Sequence, residues 1–91
     1  MQIHVQLFSI LRDCLPPEAT RGKAIITLPD GAALADLVMH LGIDKYLGVD
    51  VDEVVGRAGW QVMASGKYQP DMGHVLQDGE HVLIFPPVAG G

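Results

Sequence analysis

The chain has 91 residues, 48% apolar and 19% charged, a balance that fits one globular domain with a single small core and excludes a disordered chain. Six basic against eleven acidic residues leave a net charge of −5, which opposes nucleic-acid binding, a function that needs clustered Lys and Arg. Apolar runs are far too short to span a membrane, and the opening Met1-Gln2-Ile3-His4-Val5 lacks the basic-then-apolar pattern of a signal peptide, so a cytoplasmic protein with no membrane partner is expected.

Residues 2–10 predict a first strand, with Ile3, Val5 and Leu7 alternating with Gln2, His4 and Gln6. Phe8 and Ile10 fall on the polar-side parity. Either the strand twists out of register there, or apolar groups stand on the open face of the sheet. A short segment compatible with a helical turn precedes the break at Pro16-Pro17, and a second strand is expected at 23–28, giving a wide antiparallel hairpin. Pro29-Asp30-Gly31 signals a turn. Leu34, Leu37, Val38 and Leu41 then recur at helical spacing, with Asp30 as candidate N-cap, Asp36 complementing the helix dipole and Gly42 ending the helix. This stripe reads as packing onto a sheet.

Residues 43–47 suit another helical turn, and Asp50, Asp52 and Glu53 read as a solvated acidic loop, since their spacing departs from a calcium-binding loop. A third strand is expected over Trp60–Ala64, with a Ser65-Gly66 turn before Lys67-Tyr68. Asp78-Gly79 leads into a last strand, His81 to Phe85, whose nearly unbroken apolar run predicts a central strand covered on both faces. The order strand, strand, helix, strand, strand predicts an α+β domain, a mixed sheet of four to five strands with one main helix packed across it.

Few side chains suggest chemistry. The histidines at 4, 40, 74 and 81 lack metal-ligand spacing, Ser9 and Ser65 lack a nucleophile elbow, and Gly56, Gly59 and Gly66 do not make a phosphate loop. The lone Cys14 reads as an inert thiol. No metal or cofactor is expected to be bound by this chain. Attention passes to the final Gly90-Gly91, which offers no core contact and is costly to order. Alone it could be a frayed end. Pro86-Pro87 stiffens the approach, and a tail without Cβ atoms can thread a narrow channel and leave the Gly91 carboxylate unshielded.

The ending Phe85-Pro86-Pro87-Val88-Ala89-Gly90-Gly91, preceded by Leu76-Gln77-Asp78-Gly79-Glu80-His81-Val82, resembles the small subunits of molybdopterin synthase, within the MoaD/ThiS family of ubiquitin-like sulfur carriers. The opening Val5–Asp13 and the Leu28-Pro29-Asp30-Gly31 lead into the helix are similar as well, whereas 43–73 matches poorly. The helix entry Gly31-Ala32-Ala33 lacks the Ser or Thr usual in relatives, and Ala64-Ser65-Gly66 stands where Val-Asn is usual. The resemblance implies a β-grasp domain over 1–85 and a flexible tail over 86–91. It implies that an E1-like adenylyltransferase/sulfurtransferase uses ATP to adenylate Gly91, and that sulfur then replaces AMP to leave a thiocarboxylate. It implies a second partner, the molybdopterin synthase large subunit, which receives the tail Phe85 to Gly90 and uses the sulfur for the molybdenum or tungsten cofactor. Phe8 and Phe85 are expected to contribute to a docking surface. Alternative fates are a carrier for thiazole, cysteine or tRNA thiolation, a protein modifier joined to lysine through Gly91, or a binding module whose tail is inert.

Overall fold

The computed structural model describes residues 1–87. Five strands, β1 (Gln2–Leu7), β2 (Lys23–Thr27), β3 (Gln61–Ala64), β4 (Lys67–Tyr68) and β5 (His81–Phe85), form one sheet in the order β2-β1-β5-β3-β4. Helix α1 (Leu34–Leu41) and the shorter α2 (Ile43–Leu47) complete the regular elements, with 3-10 turns at Ser9–Cys14 and Val51–Glu53. β1 pairs antiparallel with β2 and parallel with β5, while β3 runs antiparallel to both β5 and β4. The parallel pair demands a crossover between β1 and β5, and most of the chain lies in it.

The core is what the alternation predicts. Ile3, Val5 and Leu7 of β1, Val82 and Ile84 of β5 and Val62 of β3 are buried against Leu34, Leu37, Val38 and Leu41 of α1. All four residues of the helical stripe therefore face the sheet. Gly42 closes α1 with φ of 73° and donates its N–H to the Met39 carbonyl. The segment 43–73, hardest to read in sequence, contributes Ile43, Val54, Trp60 and Met72 to the same core.

Three expectations are corrected. β1 ends at Leu7: Ser9 adopts a φ of 58°, which turns the chain into the 3-10 segment and sends Leu11 into the core while Ile10 stays exposed. Asp30 is not the N-cap of α1. It lies in the preceding turn, the cap is Ala33, and the Ala33 N–H donates to Asp36 Oδ2 at 2.8 Å, so the acid inside the first turn satisfies the helix start. β5 is central but covered on one face only, with His81 exposed and Leu83 and Phe85 half-buried on the other. Its apolar run reflects a sticky open face, not a second helical layer. The wide hairpin of β1 and β2 holds the 3-10 segment and a tight turn, Thr20–Lys23.

The acidic loop has an internal explanation. Glu53 Oε1 accepts the Asp50 N–H, and Glu53 Oε2 takes the Arg57 guanidinium at 3.2 Å, so these residues cap a 3-10 turn. Among the described residues no three His, Cys, Asp or Glu side chains gather as a metal site, and no helix is long and apolar enough to cross a membrane.

Candidate functional site

The strand registers lay out the open face in rows. Ile25 of β2, His4 of β1 and His81 of β5 form one row, and Lys23, Gln6, Leu83, Met63 and Tyr68 the next. Phe8 and Phe85 lie at the end from which the tail departs. Their rings meet edge to face, with centroids 6.1 Å apart and planes at 84°. Such a pair holds both rings in place at low entropic cost. Phe8 thus stands on the open face, resolving the parity conflict of the sequence, and its N–H still bonds the Ile84 carbonyl at 3.2 Å. Half-buried Phe8 and Phe85, with Leu83, Met63 and the exposed Ile25 and Tyr68, make one face of a small domain unusually apolar.

The tail leaves from this rim. Pro86 is half-buried and Pro87 exposed. The Pro87 ring lies over Gly59, where an added Cβ would sit 3.6 Å from it at a φ of 79°. That loop is pinned by Trp60, whose buried indole follows an N–H bond to the Val54 carbonyl at 3.0 Å. The Pro-Pro segment therefore begins against the poorly matched middle of the chain, a contact that sequence reading missed. Val88, Ala89, Gly90 and Gly91 lie outside the described residues.

At the opposite end of β5, Glu80 is a buried carboxylate that no sequence motif singles out. Ser65 Oγ donates to its Oε2 at 2.9 Å, His74 Nε2 lies 3.0 Å from the same oxygen, and the Gln77 N–H donates to Oε1 at 3.0 Å. Burial works to raise its pKa, yet the bonds from His74, Gln77 and Ser65 together outweigh burial and hold the carboxyl below its ordinary range. A lowered folded pKa means that the stabilisation is complete above the unfolded glutamate value, near ~4.3, and is lost as pH falls through the lower folded value. Glu80→Gln should cost about 1–3 kcal/mol at pH 7 and flatten the loss of stability between about pH 5 and 3 in urea titrations. An unchanged acid profile would remove Glu80 from this role.

Ser65 and His74 both address one carboxylate oxygen, so the serine is not activated by the imidazole. Cys14 is half-buried, and burial together with the Asp13 charge pushes its thiol up, away from the reactive thiolate.

The ThiS family model matches residues 5–91. No curated protein matches the chain. Among solved structures the fold is similar to small archaeal modifier protein 1 from Haloferax volcanii, at 20% identity and a TM-score of 0.63, covering 96% of this chain and 98% of that one. It is similar also to a chain in the complex of subunits 1 and 2 of molybdopterin-converting factor from Helicobacter pylori, at 20% identity, TM-score 0.59 and 100% coverage of both chains. Small archaeal modifier protein 1 from Methanosarcina acetivorans matches at 22% identity and a TM-score of 0.62, over 99% of this chain and 96% of that one. These neighbours are ubiquitin-like β-grasp proteins, and the mixed five-stranded sheet with its packed helix is that fold.

Proposed function

The chain belongs to the ThiS family, and on that premise we propose that it is a cytoplasmic sulfur carrier whose Gly91 carboxylate is the reactive group, serving molybdopterin synthesis as the small, sulfur-donating subunit. The observation that carries the reading is the placement of the tail: β5 runs through the centre of the sheet and delivers Pro86 and Pro87 at the rim of an apolar face fixed by Phe8 and Phe85. A partner gripping that face would find the tail beside it.

A carboxylate is a poor electrophile. An activating enzyme of E1 type would transfer AMP from ATP to the Gly91 carboxylate, releasing pyrophosphate. The terminal sulfur of a persulfide would displace AMP to give an acyl disulfide, and a second thiol would cut its S–S bond, forming a disulfide with the former persulfide sulfur and leaving the thiocarboxylate. The thioacid is ionised at neutral pH and nucleophilic, so the carrier supplies no acid or base. Its own residues do three things. Phe8 and Phe85 dock, Pro86-Pro87 aim the tail, and Gly90 keeps it thin enough to enter a channel. The Helicobacter pylori neighbour is a complex of subunits 1 and 2, which supports a large subunit as the receiving partner. Neither ATP nor the pterin is held by this chain in the scheme.

Incubation with the activating enzyme, ATP and a sulfur donor, followed by intact mass spectrometry, tests this. The expected gain equals the exchange of one oxygen for sulfur, confined to the peptide containing Gly91. Absence of any such adduct with a cognate activating enzyme would rule the carrier out. The neighbours that are modifier proteins favour one second reading, in which the same adenylate is captured by a lysine. Lysine-linked conjugates in extract, with no thioacid, would select it.

A further inference from the structure

A groove of about 550 Å³ runs across the open face over β2, β1 and β5. One wall is the tight turn Thr20–Lys23, in which Arg21 and Gly22 both take positive φ, 56° and 77°. A Cβ at Gly22 would lie 2.8 Å from the Leu7 carbonyl oxygen, so only glycine lets this turn press against β1. The Leu7 N–H bonds the Gly22 carbonyl at 2.9 Å, which fixes the turn there. Arg21 and Lys23 consequently stand at the groove. Along the other side, His4 and His81 are partners on parallel strands, with ring centroids 4.5 Å apart and planes within 7°. Ile25, 55% exposed, flanks His4 on β2, and Leu83 on β5 lies across Gln6 from Lys23.

The charge of this groove runs against the chain. The protein carries −5 overall, yet among the described residues no carboxylate lines the groove, and two strong cations and two imidazoles do. Leu83 belongs both to the groove and to the apolar surface that ends at Phe8 and Phe85. The groove lies open along the sheet, a shape suited to a segment laid across it and poorly suited to enclosing a small molecule.

We propose that this groove is a second binding site, distinct from the tail, which takes an acidic peptide segment bearing aliphatic side chains from a partner protein. Carboxylates of the segment meet Arg21 and Lys23, its aliphatic groups cover Ile25 and Leu83, and the stacked imidazoles present N–H groups to its backbone carbonyls. The site draws on the sulfur-carrier reading only for the expectation that a partner docks on this face. Its binding requires no ATP, no thiocarboxylate and no Gly91.

The test uses the 15N-labelled full chain and an end-blocked peptide of alternating aspartate and isoleucine, with lysine replacing aspartate in a control peptide. Amide shifts are expected at His4, Lys23, Ile25 and Leu83 with the acidic peptide, weakening as salt rises. The pair Arg21→Glu and Lys23→Glu should raise Kd at least about 10-fold. The milder Lys23→Gln should raise it less, and Val75→Ser, on an exposed residue outside the groove, should leave it unchanged. Equal binding of the lysine peptide, equal shifts from a single-stranded RNA oligomer, shifts centred elsewhere, or none at millimolar peptide would overturn the proposal. Each of those results would leave the loading of Gly91 with sulfur untouched, and a failure to load Gly91 would leave this binding intact.

Discussion

Removing Gly91 should abolish sulfur loading while leaving the fold unchanged. Deleting one residue draws the carboxylate back by about 3.5 Å. Reacting atoms must approach to about 3–3.5 Å in a fixed orientation, and a misplacement of roughly 1 Å already costs about 10²-fold. The expected loss is therefore well over 10²-fold in loading rate, to background in practice, read by mass spectrometry against an unchanged thermal unfolding curve. Phe8→Ala should behave differently. It keeps the reactive group and weakens docking by about 1–2 kcal/mol, so a higher activating-enzyme concentration restores full loading. Normal loading of the shortened chain would show that Gly91 is not the reactive group.

Ile84→Ala should be among the most damaging single substitutions for the domain itself. Ile84 is fully buried on β5, opposite Leu7 on one side and Val62 on the other. Truncating a buried isoleucine costs about 2–5 kcal/mol through lost transfer energy and the cavity left behind. Domains of this kind hold only about 5–15 kcal/mol in total. A fall in Tm on the order of 10–30 °C is expected by calorimetry. A drop of only a few degrees would mean that the sheet centre relaxes around the gap.

The elements most legible in sequence were those whose burial follows a simple period. β1 and α1 each pack one face, so Ile3, Val5, Leu7 and Leu34, Leu37, Val38, Leu41 announced themselves. β5 misled because its outward residues are apolar too: a run such as Val82-Leu83-Ile84-Phe85 cannot distinguish a covered face from one left apolar and open. The cap of α1 misled because Asp36 acts from inside the helix, three residues after the N–H that it takes. The tail motif was readable as a candidate for chemistry. The contact of Pro87 with Gly59 was not, since it joins segments with no sequence pattern in common. The His4–His81 stack was equally hidden, because 76 residues intervene between two side chains that only the parallel register makes neighbours.

That parallel register has a mechanical consequence. A partner that grips the tail pulls on Pro87, and through it along the axis of β5. Because β5 is flanked by β1 on one side and β3 on the other, such a pull loads both ladders lengthwise, and their hydrogen bonds resist together instead of parting one at a time. Tension applied at the tail is thus carried into the centre of the sheet as shear shared by two ladders.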